Sequence, residues 1–400
     1  MPRLILVNRY FHPDESATSQ FATDLARHRA ARHDVLALTS RQLLEDPAAR
    51  LAATGIEDGV LIHRLWSTAW GRNWLPGRLL DYLSFLAAVV LWLLFRARRG
   101  DTVLAKTDPP LLGVVTTLAT LGRGVKRIQW LQDLYPETAA RLGVVAEGGL
   151  AARLVRALRN WSLRHSDLVV TVSAGMAEYL RGSVGKAALV HIPNWAEDYA
   201  PHPTLSPQAG RGEQLTVGYS GNLGRAHPID GLLQLAENAT DPAIQFLFTG
   251  GGAHHERLRE HVQKLGRANW TFLPYQPRDQ LAALLRRADL HLVILDPRVE
   301  RFIFPSKVFG ILSAGRPILH LGDATGEVAQ LLRQHGCGWS LPADAGAAIL
   351  GLLQQLRADP EPLRQAGRAA RAAYESHFSR SKALATWDEQ MGTDLFSREK

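Results

Sequence analysis

The sequence contains very little cysteine: Cys337 stands alone among 400 residues. A single cysteine excludes an internal disulfide, and since no Cys/His cluster accompanies it, a structural zinc site is excluded as well. Met1–Arg3 leads directly into the apolar run Leu4–Val7, without the longer apolar stretch and small-residue cleavage site of a signal peptide. We therefore expect a cytoplasmic protein, either free or peripheral on the inner face of the cell membrane.

Residue patterns for covalent or metal-assisted catalysis are also absent. No Ser/His/Asp or Cys/His arrangement typical of a nucleophile is readable, and no residues have strong metal-ligand spacing. The sequence therefore predicts neither a metal nor a cofactor. Low-complexity blocks are missing too, and with 46% hydrophobic and 21% charged residues the composition is that of an ordered globular protein.

The net charge of +8 favours an anionic partner. Nucleotide phosphates, phospholipid headgroups and nucleic acid would all suit it, and a merely solvated positive surface is the alternative. Nucleic acid ranks last, because no recognisable binding module or clustered aromatic and basic patch is present.

Length and patterning predict an α/β protein with two doubly wound, Rossmann-like domains. At 400 residues the chain exceeds what one core usually serves. Short apolar runs alternate with amphipathic stretches, which favours parallel sheets with right-handed crossovers. The stretch 201–214 is rich in Pro and Gly and interrupts this alternation. We interpret it as a linker between a first domain at 1–200 and a second at 215–377.

The run Leu79–Phe95 is the most apolar part of the sequence and is flanked by arginines. A transmembrane helix is disfavoured, because spanning takes about 20 apolar residues and this run contains Asp81 and lies between predicted strands of one sheet. Three interpretations remain open: a buried crossover helix, a helix lying on an anionic membrane surface, and an oligomer contact. Trp66, Trp70 and Trp74 just upstream suit either a membrane interface or a core.

A glycine-rich turn follows the first predicted strand of the second domain, in the segment Val217–Arg225. Glycines such as Gly221 let the backbone approach a phosphate closely, and the following helix offers free N–H groups. Asn222 lies in the same turn, and Arg225 can neutralise phosphate charge. The segment predicts a phosphate site, with an ordinary structural turn as the alternative.

A second segment, Phe304–Pro317, reads as a short helix opened by Pro305 and closed before the next strand. Proline at a helix start is ordinary punctuation. Ser306 and Lys307 in the first turn favour more than that, because a cation there is unfavourable for the helix dipole unless an anion is bound. We therefore predict that this helix start also contacts phosphate.

Two further segments of the second domain are compatible with a nucleotide. Gly250 and Gly251 follow a predicted strand and precede a helix, and Tyr275 ends the next strand, where backbone groups could hold a base. Glu327 stands at another helix start. It is a candidate ligand for ribose hydroxyls, although acidic residues are common there for dipole reasons alone.

In the first domain, two loops leave predicted strands at their carboxyl ends, where open parallel sheets bind ligands. One loop carries Asp14, Glu15, Ser16 and Ala17. The other carries Asp133, with a further carboxylate four residues on.

Taken together, these segments resemble retaining glycosyltransferases of family 4, which have the GT-B fold, and among them the branch that builds bacterial exopolysaccharide and O-antigen. The matching segments span nearly the whole chain. They are Asn8–Thr18, Asp133–Glu137, Ile192–Asn194, Tyr219–Arg225, Pro305–Lys307 and Ala314–Pro317.

The resemblance implies two Rossmann-like domains facing across a cleft. The second would bind a nucleoside diphosphate sugar, and the first a glycan or polyprenyl-linked acceptor. Transfer would be metal-independent. The C-terminal stretch 378–400, with Phe378–Met391 at its start, resembles the tail helix that crosses back to the first domain.

By the same resemblance, Arg225 and Lys307 would neutralise the diphosphate and backbone groups near Tyr275 would hold the base. The Asp14–Ala17 loop would approach the transferred sugar. Asp133 would orient the acceptor hydroxyl or be structural.

The sequence departs from the family at two positions. Family members often carry two glutamates spaced eight apart, and Phe302 and Gly310 stand where they are expected. Glu300 is nearby but out of register, so Glu327 is the candidate for the ribose contact. A sugar-nucleotide epimerase or hydrolase of the same fold, and a non-catalytic sugar-nucleotide-binding protein, remain as alternatives.

Overall fold

The computed structural model describes residues 2–44, 46, 48–71, 75–199 and 214–392. The chain divides into two compact units. The first comprises residues up to Pro193 together with the chain from Leu384 onward, and the second comprises Asn194–Ala383. The domain ends predicted at 200 and 377 lie close to these divisions, and the predicted linker falls outside the described residues except for Gln214.

The first unit is built on one sheet of eight strands in its described part. The strands are β1 (Arg3–Val7), β2 (Asp34–Ser40), β3 (Thr54–Glu57), β4 (Val60–Leu65), β5 (Thr102–Ala105), β6 (Lys126–Leu131), β7 (Leu168–Thr171) and β8 (Ala188–His191). The helices are α1 (Ala17–Ala30), α2 (Leu75–Arg96), α3 (Leu112–Thr120), α4 (Glu137–Arg141), α5 (Leu150–Arg164) and α6 (Ala174–Leu180).

Seven strands of this sheet run parallel, as predicted, and one strand at the edge does not. Strand β3 pairs antiparallel with β4, with Glu57 opposite Val60. The turn between them is Asp58-Gly59, and both residues have positive φ, 46° and 78°. Asp-Gly is the preferred pair for such a two-residue hairpin turn, so the sequence did carry a signal for β3.

The second unit repeats the architecture around a sheet of six strands within the described residues. The strands are β9 (Leu215–Asn222), β10 (Ile244–Gly251), β11 (Trp270–Leu273), β12 (Leu290–Ile294), β13 (Ile318–Leu321) and β14 (Gly338–Leu341). The helices are α7 (Asp230–Asn238), α8 (Ala253–Lys264), α9 (Leu281–Arg287), α10 (Lys307–Ser313), α11 (Glu327–His335), α12 (Gly346–Ala358), α13 (Glu361–Ala373) and α14 (Arg380–Met391).

Both sheets reverse their strand order at the centre. The order is β3-β4-β2-β1-β5-β6-β7-β8 in the first and β11-β10-β9-β12-β13-β14 in the second. The chain therefore moves outward from β1 and then from β5, and likewise from β9 and then from β12. Such switch points leave a crevice at the carboxyl ends of the two central strands, which is where open α/β sheets bind ligands.

Buried aliphatic and aromatic side chains explain why these runs form strands and helices. In the second unit, alternate residues of β9 and β10, among them Val217, Phe246 and Phe248, form one core with Leu232 and Leu235 of α7. In the first unit the buried face of α2 packs over β1, β2 and β5. Because both sides of each sheet are covered, its central strands are mostly apolar.

Helix α14 begins in the second unit and ends in the first. Its Trp387 is fully buried and packs edge-on against Trp130 of β6, with ring centroids 4.8 Å apart. Asp388 accepts hydrogen bonds from Arg29 and lies 2.8 Å from the His28 ring nitrogen, both of α1. An aromatic contact and a charge cluster thus hold the C-terminal half of α14 on the first unit.

We expect Asp388→Ala to lower the free energy of unfolding by about 2 kcal/mol in urea titrations at neutral pH, because it leaves the buried Arg29 guanidinium without its carboxylate. Burial raises the pKa of Asp388, but His28 and Arg29 lower it more, so its pKa lies below the ordinary value. The carboxylate therefore stabilises the fold above the unfolded pKa of about 4 and loses this effect as pH falls.

The matched control is Glu389→Ala, which removes an exposed carboxylate from the next position of the same helix. It should change the stability by less than about 0.5 kcal/mol. Equal destabilisation by both variants would contradict a specific role for Asp388, and so would a deficit that persists unchanged at acid pH.

Candidate functional site

The site of the second unit lies at the carboxyl ends of β9 and β10. Gly221 pairs with Gly250 and Asn222 with Gly251, all four at the ends of their strands. Gly221 and Gly250 have φ of 113° and 132°, which favour glycine strongly. A Cβ at Gly250 would collide with the Gly221 carbonyl. These glycines therefore form a flat backbone floor that a ligand can approach closely.

Lys307, the first residue of α10, reaches this floor. Its Nζ lies 3.9 Å from the centre of the Tyr219 ring, and a Cβ built on Gly221 would lie 3.5 Å from it. The prediction that Gly221–Arg225 and Phe304–Lys307 lie together is correct for Gly221 and Lys307. The two come from the switch-point strands, since Gly221 ends β9 and Lys307 follows β12.

The ammonium group of Lys307 is buried and has no hydrogen-bond acceptor within the described part of the chain. Its stem is partly exposed, whereas Nζ is covered. Burial lowers the pKa of Lys307 to about 7. A buried cation is normally paired with an anion. This one has only an aromatic face, so the arrangement is suited to an anion supplied by a ligand.

Arg225 lies in the loop between β9 and α7 and is exposed, so its guanidinium can move toward a ligand. Two histidines that the sequence did not single out shape this loop. The Nδ1 atom of His227 lies 3.2 Å from the Gly224 nitrogen, and that of His254 lies 2.7 Å from the His227 carbonyl oxygen. Burial, with help from the charge of Lys307, lowers the pKa of His227 to about 3 and keeps its ring neutral.

Tyr275 borders the floor, and Ser306 directly precedes Lys307. The Tyr275 ring is 48% exposed, and a Cβ at Gly251 would lie 3.2 Å from it. A partly exposed ring next to a bare backbone is suited to stacking on a planar base. Ser306 occupies the position before α10 without capping it, so its hydroxyl is not committed to the helix. Pro305 is buried.

Glu327 starts α11 as predicted, but the loop before α11 is organised by another carboxylate. Glu300 is 7% exposed. Its Oε1 accepts a hydrogen bond of 2.8 Å from the Asp323 N–H and lies 3.1 Å from Nε2 of His320. A side chain at Gly326 would collide with Glu300. Glu300 therefore positions the loop that presents Glu327. The position of Glu300 in the sequence did not indicate this role.

At the switch point of the first unit, Lys106 is fully buried behind β5. Its Nζ donates a hydrogen bond of 2.9 Å to the Thr18 carbonyl and lies 3.8 Å from the Trp130 ring centre. Burial lowers the pKa of Lys106 well below its ordinary value, opposed by the charges of Asp108, Asp133 and Asp24. Sequence reasoning missed this lysine, because nothing in its neighbourhood forms a motif.

Asp133 and Lys106 line a common cavity of about 40 Å³. That volume holds a water molecule or two and is too small for a sugar ring, so only a single hydroxyl group of a ligand could reach Asp133 there. Burial and the nearby Asp108 raise the pKa of Asp133 to about 6, while Lys106 lowers it. A carboxylate with such a pKa can accept a proton near neutral pH.

The loop predicted to face a sugar is held by its own carboxylate. Asp14 is buried, and it accepts hydrogen bonds from the N–H groups of Ser16 and Leu44. Ser16 in turn caps α1 through the Ser19 N–H. Glu15 and Ala17 are exposed. Glu15 and Ala17 are therefore the residues most accessible to a ligand, while Asp14 and the partly exposed Ser16 shape the loop.

The carboxylate four residues after Asp133 is structural. Glu137 accepts hydrogen bonds from Arg156 and Arg159 of α5 and from the Tyr179 hydroxyl. In the described part of the chain, no group of three or more His, Cys, Asp or Glu side chains could hold a metal ion.

Two protein families match the two halves of this chain. A glycosyl transferase 4-like domain matches residues 16–195, and a domain of the glycosyl transferases group 1 matches residues 204–373. The chain is a glycosyltransferase of the GT-B type. The glycine floor and Lys307 both lie within the part of the chain that matches the group 1 domain.

Curated relatives and solved structures agree with this assignment. The chain is 26% identical over 283 residues to the probable glycosyltransferase WbjE of Pseudomonas aeruginosa, covering 69% of this chain and 70% of that one. It is 28% identical over 241 residues to the putative colanic acid biosynthesis glycosyl transferase WcaI of Escherichia coli K12, covering 55% and 59%.

Among solved structures, sucrose-phosphate synthase from Thermosynechococcus elongatus superimposes with a TM-score of 0.78 at 18% identity, over 99% of both chains. Anabaena HepE in complex with UDP and glucose gives 0.70 at 16% identity, over the whole of both chains. These similarities establish the GT-B fold of this glycosyltransferase.

The pKa of Lys307 leads to a prediction for nucleotide binding. At pH 8 its amine is largely neutral in the free protein, and a bound diphosphate would stabilise the charged form and raise the pKa again. We expect UDP binding at pH 8 to take up close to one proton, and the affinity to fall as pH rises above about 7. Calorimetry in buffers of different ionisation enthalpy measures this uptake directly.

Lys307→Met should weaken UDP binding by roughly 10- to 100-fold and abolish the proton uptake. The matched control is Arg225→Met, which should weaken binding but leave the uptake unchanged. Unchanged UDP affinity in both variants would show that the diphosphate lies elsewhere, and proton uptake that survives Lys307→Met would remove the role of this amine.

Proposed function

We propose that this glycosyltransferase moves a sugar from a nucleoside diphosphate sugar to a glycan acceptor, with retention of configuration, in the synthesis of a bacterial surface polysaccharide. The main support is the buried ammonium of Lys307, which lies beside Gly221 and has no hydrogen-bond acceptor among the described residues. It leaves one positive charge to be matched at the place where a GT-B protein can receive a diphosphate. The proposed pathway takes its support from the name of WcaI.

The donor assignment also draws on a structural neighbour. Anabaena HepE has been solved with UDP-glucose, at a TM-score of 0.68 to this chain. In our proposal the diphosphate lies against Gly221 and Gly250, between Lys307 and Arg225. The base stacks near Tyr275, and Asn222, Gly251, Pro305 and Ser306 complete the donor contacts.

Electrostatic stabilisation of the leaving group is the main chemical contribution that we assign to the protein. As the bond to the sugar breaks, negative charge grows on the departing diphosphate, and fixed cations beside it lower the barrier. Lys307 is held in place by Tyr219, whereas Arg225 is exposed and can close onto the ligand. In a front-face reaction the acceptor hydroxyl attacks on the side from which the phosphate departs, and its proton passes to a base of the first unit.

Neither of the two positions where a glutamate is usual offers a polar side chain here. Phe302 is buried, and a Cβ at Gly310 would make ordinary van der Waals contact, at 3.7 Å, with both Leu285 and Tyr199. A ribose contact therefore has to come from another residue, and we propose Glu327, presented by the loop that Glu300 holds.

For the acceptor we propose a polyprenyl-linked glycan bound by the first unit, with the protein in the cytoplasm at the inner face of the membrane. Glu15 and Ala17 are the exposed members of the acceptor-facing loop. No metal ion or bound cofactor is part of this proposal. Asp133 is assigned to the acceptor hydroxyl, which its pKa of about 6 would allow it to deprotonate or orient at neutral pH.

Incubation of the purified protein with UDP-, GDP- and TDP-sugars and a polyprenyl-diphosphate glycan tests the proposal. We expect one donor to give a product that is one sugar longer, with the anomeric configuration retained in its NMR spectrum. Lys307→Met serves as the inactive control. Tight nucleotide binding without transfer to any acceptor would instead favour the non-catalytic binder, in line with the missing glutamates at Phe302 and Gly310. Conversion of a donor in the absence of acceptor would favour the epimerase or hydrolase.

The role of Asp133 has a distinct pH signature. We expect kcat/KM to rise with pH through an apparent pKa near 6, because only the ionised carboxylate accepts a proton. Asp133→Asn should remove this limb and reduce kcat/KM by about 100-fold. Lys106→Met should move the limb to higher pH, since Lys106 lowers the pKa of Asp133. A limb that persists in Asp133→Asn would make this carboxylate structural.

A further inference from the structure

One face of α2 is packed into the core of the first unit. Its buried residues recur every four positions, as one stripe of a helix requires, and they include Asp81, Phe85, Val89 and Leu93. In the loop before α2, the Thr68 hydroxyl and the N–H groups of Trp70 and Gly71 donate hydrogen bonds to the Asp81 carboxylate. The helix is therefore fixed along its length to the sheet.

The opposite face of α2 is also apolar, and it is exposed. Large side chains on this face have exposed fractions between 43% and 80%. They are Leu79, Leu80, Leu83, Leu91, Leu94 and Phe95. We call this set the α2 outer face. An exposed apolar surface of this extent is uncommon on soluble monomers and indicates an interaction site.

Charge and aromatic residues surround the α2 outer face. Arg78 lies at its start, and Arg96, Arg98 and Arg99 follow its end, all exposed. No ion pair of these four side chains is found among the described residues. Trp66 and Trp70, in the loop before α2, are 67% and 62% exposed. Leu118 and Leu121, at the end of the adjacent helix α3, extend the apolar surface.

By length and composition, helix α2 could cross a membrane. Its apolar segment has a mean hydropathy of 1.8, and 28% of that segment is buried in the protein. Crossing would require its other face to leave the sheet and would carry Asp81 into lipid, away from the hydrogen bonds that now satisfy it. A helix with one face on its own protein and an apolar face outward is instead suited to lie in the plane of a bilayer surface.

We propose that the α2 outer face binds an anionic bilayer, with its leucines and Phe95 entering the acyl region and the flanking arginines contacting phospholipid headgroups. Charge favours lipid over a second copy of this chain. Between Leu79 and Arg99 the sole carboxylate is Asp81, which is buried. Two copies of this face would bring arginines together without acidic partners, whereas anionic headgroups would pair with them.

This proposal does not depend on the proposed function, and it explains why the sequence combines long apolar and basic segments in one crossover. It also separates two contributions to binding. The leucines should determine whether the protein is retained on a bilayer at all, and the arginines should determine its preference for anionic lipid.

Flotation with vesicles of phosphatidylcholine, with or without about 30 mol % phosphatidylglycerol, tests it. The full chain should float with the anionic vesicles. Leu83→Ser combined with Leu91→Ser should reduce the bound fraction at least about tenfold. The arginine variant, Arg96→Gln with Arg98→Gln and Arg99→Gln, should lose the difference between the two vesicle types.

The matched control, Ile56→Ser with Leu265→Ser, removes two exposed apolar side chains from other surfaces and should float like the parent protein. Circular dichroism and UDP affinity, which should be unchanged in every variant, show that the fold is intact. Absence of flotation by the parent protein, or equal flotation of the leucine variant, overturns the proposal. So does a parent protein that stays dimeric without binding vesicles and becomes monomeric in the leucine variant.

Discussion

The buried ammonium of Lys307 is the constraint on which the site of the second unit depends. Removing a charge from water is unfavourable unless a partner of opposite charge replaces the water. Lys307 has the face of Tyr219 and the bare backbone of Gly221 instead, and its pKa falls to about 7 as a result. In the free protein at neutral pH, the Lys307 amine is therefore protonated in only about half of the molecules. A bound diphosphate would supply the missing negative charge and favour the protonated amine, so ligand binding and protonation would be coupled at Nζ of Lys307.

The topology of the sheet explains why this lysine stands where a ligand can reach it. Strand order reverses between β9 and β12. Gly221 lies near the end of β9, and the segment that leaves β12 leads to Lys307. The first unit repeats this arrangement with β1 and β5, whose carboxyl ends carry the Asp14 loop and Lys106. There the lysine is bound to the Thr18 carbonyl and surrounded by carboxylates, so it organises its own domain. The same topology therefore produces an open cation in one unit and a satisfied one in the other.

Much of this could be predicted from the sequence, because the predicted features are local or follow from strand order. The Gly221 turn, a helix start close to Pro305 and the two doubly wound sheets belong to this group, although α10 begins two residues later than predicted, at Lys307. The roles of Glu300, His227 and Lys106 could not be predicted. Each depends on a partner distant in sequence, such as His320 for Glu300, and a single sequence contains no signal for such a pairing. The hairpin that forms β3 is different, because the pair Asp58-Gly59 is a local signal for its turn. The prediction missed β3 because it followed the alternation of strands and helices around it.

Helix α2 shows a further limit of sequence patterns. A helix whose residues are apolar all round has no polar face to mark which side meets solvent, and burial against the sheet satisfies only one side. Asp81 and Ser84 fix the rotation of the helix, because both side chains hydrogen-bond to Thr68 in the preceding loop. Once Asp81 points inward, geometry directs Leu83, Leu91 and Leu94 outward, whatever the surrounding solvent. The exposed apolar face is thus a consequence of the buried polar contacts that orient the helix, and in our proposal an anionic bilayer covers this face.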